Sequence, residues 1–257
     1  MKFDLKDYHV FVAGGLGETG RRIVSLLKEN KASITILYSS NSYLSQINFI
    51  KNLRIKCIKV DYLDMQSLFS VFSKYCLKDK ANCLISTVGT GKALDKFPHS
   101  KSEYQRIWDI NYFSNRNLSI AISTILQENK TFNKNNLSAH VLTSSIASKI
   151  EVGAPLDYCC AKSALETLVK NLALKISPEQ RINCICPGHI YTKTGTWGLS
   201  LEKDPKKVNK IIDTEIPIKR LGTTSDLAYF SMFLIDQSSS FINGSSHIID
   251  GGLSAAR

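Results

Sequence analysis

Short apolar runs alternate with segments of helical periodicity from one end of the chain to the other. Residues 10–13 form the first apolar run, and Ile23, Leu26 and Leu27 then recur at the spacing of one helix face. Predicted strands cover residues 10–13, 34–38, 55–60, 82–87, 139–143, 181–186 and 247–249. Predicted helices cover residues 19–29, 64–76 (with Asp64 as N-cap), 102–127 and 157–176, and two short helices precede the last strand.

This alternation predicts parallel strands that are joined by right-handed crossovers, with helices on both faces of the sheet. No linker, internal repeat or low-complexity tract interrupts it. We therefore expect residues 1–257 to form one α/β domain, a doubly wound parallel sheet of Rossmann type.

Composition supports a packed core and indicates no membrane segment. Of the 257 residues, 43% are hydrophobic and only 6 are proline, which argues against disorder. No apolar run reaches the ~18 residues of a transmembrane helix, so we expect no membrane partner. Asp4, Lys6 and Asp7 stand where a signal peptide needs its apolar stretch, which predicts a cytoplasmic location.

Charge and cysteine content narrow the range of partners. The net charge is +11, but Lys and Arg are spread along the whole chain, so we expect a solvated surface and no nucleic-acid partner. The 7 cysteines are an odd number, which argues against a disulfide framework. Cys184 and Cys186 share one strand face and, with His189 nearby, suggest a metal site. Small buried apolar side chains explain them better, and we predict no metal.

A glycine-rich turn follows the first predicted strand. Residues 13–20 read Ala-Gly-Gly-Leu-Gly-Glu-Thr-Gly, and such glycines let the backbone approach a pyrophosphate at the N-terminus of a helix. The candidate cofactor-binding residues of this turn are Gly14, Gly17, Glu18, Thr19 and Gly20. The alternative is a turn that merely connects the strand to the helix. Residues later in the chain distinguish between a pyrophosphate-binding turn and a simple connection.

Three polar residues provide that evidence. Tyr158 and Lys162 lie four positions apart in a predicted helix and therefore share a face. Ser145 follows the fifth predicted strand, at the sheet edge where open α/β proteins place their active sites. Ser144 is the rival of Ser145, and only the distance to Tyr158 along the chain favours Ser145.

With these residues the chain resembles the short-chain dehydrogenase/reductase superfamily, in its single-domain branch, over essentially its whole length. Further similar segments are Asp61 after the third strand, Gly89 after the fourth, Asn111 in the long helix, the Pro-Gly-His-Ile-Tyr-Thr stretch 187–192, and residues 242–252. The resemblance implies an enzyme that transfers a hydride between a nicotinamide cofactor and a carbonyl or alcohol carbon.

The resemblance also implies roles for these residues. Tyr158 is the general acid or base. Lys162 holds the nicotinamide ribose and, together with the positive nicotinamide, lowers the pKa of Tyr158 from about 10 towards about 7. Ser145 binds the reacting oxygen, and Asn111 positions a water in a proton relay. Asp61 contacts adenine, while Gly89, Ile190 and Thr192 lie along the cofactor. Residues 190–222, called the lid segment below, cover the substrate.

Two positions depart from the family's pattern. Glu18 stands where this branch usually has glycine, and because an inward carboxylate would repel a pyrophosphate, we expect it to point to solvent. Residues 86–89 read Ser-Thr-Val-Gly where the family commonly has Asn-Asn-Ala-Gly, so local hydrogen bonds should differ.

The cofactor is expected to be NADP(H) rather than NAD(H). NAD-specific sites usually place a carboxylate after the second strand, but between Glu29 and Asp61 this chain has no Asp or Glu. Donors suited to a 2′-phosphate stand there instead, in the run Tyr38, Ser39, Ser40, Asn41 and Ser42.

The substrate is expected to be a small molecule, anionic or carrier-bound, because the lid segment carries seven basic against four acidic residues. The ending and residues 217–222 resemble reductases of 3-oxoacyl thioesters on acyl carrier protein. The alternatives are a sugar or secondary-alcohol dehydrogenase and, in another class, a cofactor-binding regulator without turnover. A homo-oligomer, tetramer or dimer, is expected from pairing of the two long helices through Leu118, Ile122, Leu165 and Leu172.

Overall fold

The computed structural model describes residues 3–40, 54–78, 80–91, 98–129 and 137–256. Within these residues seven strands form one sheet in the order β3-β2-β1-β4-β5-β6-β7, and every neighbouring pair is parallel. The strands are β1 (Tyr8–Ala13), β2 (Ser33–Tyr38), β3 (Lys56–Lys59), β4 (Ala81–Ser86), β5 (Ser138–Thr143), β6 (Gln180–Pro187) and β7 (Ser246–Ile249).

Helices connect the strands and cover both faces. They are α1 (Glu18–Glu29), α2 (Met65–Tyr75), α3 (Lys101–Trp108), α4 (Ser114–Glu128), α5 (Leu156–Ile176), α6 (Thr196–Lys203), α7 (Pro205–Glu215) and α8 (Thr224–Ile235). The Asp64 side chain accepts hydrogen bonds from the first-turn N–H groups of Gln66 and Ser67, as its predicted capping role requires. None of the helices in the described ranges has both the length and the apolar character to cross a bilayer.

The predicted number and continuity of helices needed correction at two places. The long helix expected over residues 102–127 is broken by a π-helical turn, Asp109–Phe113, between α3 and α4. Three helices, α6, α7 and α8, precede the last strand in the described residues, where two were expected. Asp204 explains the extra boundary because its side chain accepts from Lys207 N at 3.0 Å and starts α7 just after α6 ends.

The alternation along β1 separates two cores. Val10 and Val12 point to the face covered by α1 and α8, where they meet buried residues such as Leu27. Phe11 points to the other face, where it packs edge-to-face on Phe72 of α2 with ring centroids 5.0 Å apart. Helices therefore cover both faces of one parallel sheet, and the predicted doubly wound α/β fold is confirmed.

The residues chosen to support helix pairing between subunits lie in this core instead. Leu118, Ile122, Leu165 and Leu172 are each at most 9% exposed and pack inside the same chain. Their apolar character therefore reflects intrachain burial, and it gives no evidence of pairing across a two-fold axis. The homo-oligomer remains a prediction.

Candidate active site

A crevice opens where the chain leaves the sheet in opposite directions from β1 and β4. These strands are neighbours in the sheet but not in the sequence, and ligands of open α/β sheets bind at such a reversal of strand order. Two adjoining cavities of about 420 and 240 Å³ lie there, called the cofactor cleft and the catalytic cavity below. Both are lined by Thr19, Thr87, Val88, Gly89, Thr90 and Thr192.

The glycine turn lines the cofactor cleft. Gly14 has φ +74°, and a Cβ on Gly20 would lie 2.2 Å from the Gly14 carbonyl oxygen, so α1 can approach β1 this closely only with glycine at position 20. At Gly17 a Cβ would meet only the Gly14 oxygen, at an ordinary 3.4 Å. Gly17 provides no side-chain cap, so the first N–H groups of α1 stay available beside the cleft.

Glu18 does not point to solvent as expected. Its carboxylate reaches the lid segment and accepts hydrogen bonds from Lys193 N at 2.7 Å, Thr194 N at 2.9 Å and Thr194 Oγ1 at 3.0 Å. Burial raises the pKa of Glu18, but these hydrogen bonds, together with the charge of Arg21, outweigh burial and hold it below its usual value. An ionised carboxylate therefore joins the glycine turn to the lid segment.

The other departure, at residues 86–89, is accommodated by local hydrogen bonds. The Ser86 hydroxyl donates to Asn115 Oδ1 at 2.6 Å, inside the protein. Thr87 Oγ1 lies 3.3 Å from the carbonyl oxygens of both Ala13 and Gly14, which it can reach as a donor. The hydroxyl groups thus brace the end of β4 against the glycine turn.

Ser145, Tyr158 and Lys162 line the catalytic cavity together. Ser145 is close enough to Tyr158 to favour the ionised form of the phenol. Lys162 Nζ lies 5.7 Å from the Tyr158 ring centroid and donates to the Thr143 carbonyl at 2.8 Å. Ser144 also lines this cavity, but its buried hydroxyl donates to the Lys162 carbonyl at 3.1 Å. Of the two adjacent serines, the structure brings Ser145 to Tyr158.

Burial controls the proton affinities of this group. Burial lowers the pKa of Lys162 to about 8. Burial also raises the pKa of Tyr158, although the Ser145 hydrogen bond acts in the opposite direction. The expected lowering of the Tyr158 pKa also requires the positive nicotinamide, and the protein's own groups, among which burial dominates, do not produce it.

Asn111 lies on the π-helical turn and is fully buried. The Asn111 side chain accepts a hydrogen bond from Thr90 N at 3.0 Å and donates one to the Thr90 carbonyl at 3.3 Å. The backbone carbonyl of Asn111 accepts from Asn115 Nδ2 at 3.1 Å. A Cβ on Gly89 would lie 2.9 Å from Lys162 Nζ and 3.1 Å from Asn111 Oδ1. Asn111 thus holds the loop that passes Lys162, and its polar groups are engaged within the protein.

The far end of the cofactor cleft is lined by Tyr38, Ser39, Ser40 and Tyr62. Asp61, expected to contact adenine, is exposed, and its carboxylate accepts from Leu63 N at 2.9 Å without lining the cleft. Its neighbour Tyr62 takes that place, and an aromatic residue directly after the third strand was the available signal. Asn41 and Ser42 lie outside the described residues.

Ile190 and Thr192 begin the lid segment and both line the catalytic cavity. A third cavity of about 260 Å³, called the side cavity below, adjoins it at Ser145, Tyr158 and Ile190. Its remaining wall is mostly apolar and includes Ile146, Ala147, Val152, Ala154, Pro155 and Trp197. Trp197 stacks on His189 with ring centroids 3.9 Å apart. Sequence reasoning missed Trp197 because no spacing marks a lid residue.

Comparison with known proteins identifies the family. The family model described as enoyl-(acyl carrier protein) reductase matches residues 17–254. This chain is a short-chain dehydrogenase/reductase. The resemblance found in the sequence is confirmed, and the family's members are NAD(P)-dependent oxidoreductases.

Individual relatives are distant. The 3-oxoacyl-[acyl-carrier-protein] reductase FabG of Chlamydia pneumoniae is 26% identical over 259 residues, which cover 98% of this chain and 99% of that protein. Tropinone reductase-like 3 of Erythroxylum coca is 28% identical over 67% of this chain, and the match spans 63% of that protein, less than two thirds. The solved 3-oxoacyl-[acyl-carrier protein] reductase of Brucella melitensis with bound NAD has a TM-score of 0.80 at 22% identity, covers 98% of this chain and 93% of that one, and shows the fold alone.

The cysteine pair of this short-chain dehydrogenase/reductase has a carboxylate as its neighbour. Among the described residues, ligand-type atoms of Glu166, Cys184 and Cys186 lie within 4.8 Å of one another, whereas His189 stacks on Trp197. Glu166 is already balanced by Lys149, whose Nζ lies 2.6 Å from its carboxylate. The absence of a metal remains a prediction.

The two glycines of the turn allow a matched test of the cofactor cleft. We predict that Gly20→Ala lowers the free energy of unfolding by about 1–3 kcal/mol, because its Cβ would meet backbone that cannot move independently. Gly17→Ala should change it by less than half as much. Urea unfolding of both variants measures the difference, and equal effects would contradict this account of the turn.

Proposed function

We propose that this enzyme transfers a hydride from NADPH to the carbonyl carbon of a 3-oxoacyl thioester, with Ser145, Tyr158 and Lys162 as catalytic residues. The juxtaposition of Ser145 and Tyr158 carries this proposal, because both residues stand where the catalytic and side cavities meet. A carbonyl oxygen placed there lies within reach of both hydroxyl groups. The side cavity then receives the chain attached to that carbonyl.

The residues of the site suit reduction. The nicotinamide supplies the hydride when bound, and the protein supplies the proton and the orientation. Tyr158 is protonated at neutral pH because burial raises its pKa, which is the state that a general acid needs. Ser145 donates to the developing alkoxide, as an oxyanion donor does. Lys162, with a pKa of about 8, is mostly cationic at neutral pH and stabilises the phenolate left by proton transfer.

The cofactor cleft fits a dinucleotide. The close approach at Gly20 and the uncapped N-terminus of α1 suit a pyrophosphate, and the cleft continues to Ser39 and Ser40. No carboxylate follows β2 in the sequence to bind a ribose 2′-hydroxyl, so the proposal favours NADPH. One solved structure with this fold contains NAD. The preference between NAD(H) and NADP(H) therefore depends on this chain's own residues.

The proposed substrate class rests on two surfaces. The wall of the side cavity includes apolar side chains such as Ile146, Val152 and Trp197, which can pack against an acyl chain. The basic residues of the lid segment are exposed on its outer surface, where they can attract an anionic carrier. A secondary-alcohol dehydrogenase remains the alternative. A regulator without turnover is less compatible with Ser145, Tyr158 and a cationic Lys162 lining one cavity together.

Removal of one hydroxyl tests the catalytic assignment. We predict that Tyr158→Phe lowers kcat for carbonyl reduction by about 100-fold or more, because the proton donor is lost. The Kd of NADPH should stay within about threefold, since the ring is kept. The exposed Tyr229 on α8 provides a matched control, and Tyr229→Phe should keep the kcat of the unaltered enzyme. Near-normal turnover by Tyr158→Phe would falsify the assignment.

Cofactor preference is tested by titration. We predict that NADPH binds at least about tenfold more tightly than NADH, and that Ser40→Asp reduces this ratio by repelling the 2′-phosphate. Fluorescence titration of both proteins with both cofactors measures it. Tighter binding of NADH by the unaltered enzyme is the contradicting result.

Steering by the lid segment is tested with salt and charge reversal. We predict that kcat/KM for a thioester on acyl carrier protein falls about threefold or more when the Debye length is cut from about 10 to about 3 Å. Reversal of Lys206 and Lys207 to Glu should lower it at low salt. The same reversal at Lys74 and Lys78, exposed residues outside the lid segment, is the control. If the best substrate is neutral and its kcat/KM is unchanged by salt and by these reversals, the prediction of an anionic substrate is wrong.

A further inference from the structure

Glu18 is the first residue of α1, and its carboxylate is bound by a segment about 175 residues away along the chain. Two consecutive backbone N–H groups, of Lys193 and Thr194, and the Thr194 hydroxyl converge on it at 2.7–3.0 Å. Hydrogen bonds to an ionised acceptor are about twice as strong as neutral ones, and two backbone donors fix their direction. We call these three bonds the Glu18 tether.

The two ends of the lid segment are joined at its base, and Thr196 Oγ1 makes a further contact 3.4 Å from the Gly91 carbonyl oxygen. Ile190 and Gly222 form an isolated parallel bridge, with Tyr191 N donating to Gly222 O at 2.8 Å, which joins the two ends of the lid segment. Between these ends the Glu18 tether binds the lid segment to the glycine turn. The tether thus determines where the first turn of the lid segment lies above the cofactor cleft.

The tethered turn leads directly into the wall of the side cavity. Thr194 lines the cofactor cleft, and Trp197 follows three residues later in the first turn of α6. Trp197 lines the side cavity together with Ser145 and Tyr158. A displacement of Thr194 therefore moves the aromatic wall that faces the reacting atoms.

We propose that Glu18 is a positioning residue, whose carboxylate holds the lid segment at Lys193 and Thr194 and thereby sets the substrate-binding wall at Trp197. This inference rests on the proposed function for the identity of the side cavity. It also assigns a purpose to a carboxylate at a place where an anionic cofactor would repel it. The Glu18 carboxylate points to the backbone N–H groups of the lid segment, from which it accepts hydrogen bonds.

The first experiment measures the lid segment without any substrate. Backbone hydrogen exchange of residues 190–200 is compared in the unaltered chain and in Glu18→Ala and Glu18→Gly, the second of which restores the family's usual residue. Loss of the tether should speed exchange at Lys193 and Thr194 by about tenfold to 100-fold. Glu29→Ala is the matched control, because among the described residues this exposed carboxylate at the other end of α1 contacts Ser25 and Arg22 of its own helix.

The second experiment measures positioning. In both Glu18 variants the KM of the best carbonyl substrate should rise about tenfold while kcat stays within about threefold, because Tyr158 and Ser145 are untouched. Thr194→Ala removes one of the three bonds and should give a smaller rise. Combined with Glu18→Ala it should add little, since the two changes remove the same interaction.

The outcomes separate this inference from the proposed function. Equal exchange rates in the Glu18 variants, the Glu29 control and the unaltered chain overturn the tether, whatever the activity. Faster exchange with an unchanged KM overturns the positioning role. Faster exchange in an enzyme that reduces none of a panel of 3-oxoacyl thioesters and simple ketones overturns the proposed function and the positioning role together, and leaves the tether as a structural contact.

Discussion

The pairing of β1 with β4 is the constraint on which the rest of the site depends. The chain continues from β1 to β2 on one side of this pair and from β4 to β5 on the other, so it leaves the two strands in opposite directions. A crevice must open at their carboxyl ends, because no connection can cover both exits. Thr87 N donates to the Ala13 carbonyl at 3.0 Å and fixes the floor of this crevice. The cofactor cleft and the catalytic cavity are its two halves.

Burial is the main cause of the pKa shifts of Lys162 and Tyr158 beside this crevice. The ammonium of Lys162 is 2% exposed and its charge is directed to the Thr143 carbonyl, so burial lowers its pKa to about 8. The same low-dielectric surroundings raise the pKa of Tyr158. Burial therefore moves the two pKa values apart, so that at neutral pH Tyr158 keeps its proton and Lys162 is mostly cationic.

Residues that depart from the family's pattern are compensated by contacts from distant parts of the chain. Ser86 bonds Asn115 of α4, Thr87 lies against the carbonyls of Ala13 and Gly14, and Glu18 bonds the lid segment. Each hydroxyl or carboxylate has acquired a partner near the crevice, because a buried polar group without one costs free energy. These contacts link the glycine turn, the end of β4 and the lid segment into one connected network.

The sequence by itself determined the alternation of strands and helices, the doubly wound sheet and the identity of the family. Apolar periodicity is a local property, and residues such as Ser145, Tyr158 and Lys162 keep a recognisable spacing along the chain. The cap at Asp64 and the helix containing Tyr158 could be predicted because only nearby residues decide them.

Only the tertiary structure decided which side chains meet. It moved Leu118 and Leu165 from an expected subunit interface into the core, replaced Asp61 by Tyr62 at the cofactor cleft, and turned Glu18 from solvent to the lid segment. Trp197 entered the wall of the side cavity in the same way. The physical reason is common to these cases. Side chains interact with the groups that lie near them in space. The packing of helices on the sheet determines which groups these are, and the local sequence does not reveal it.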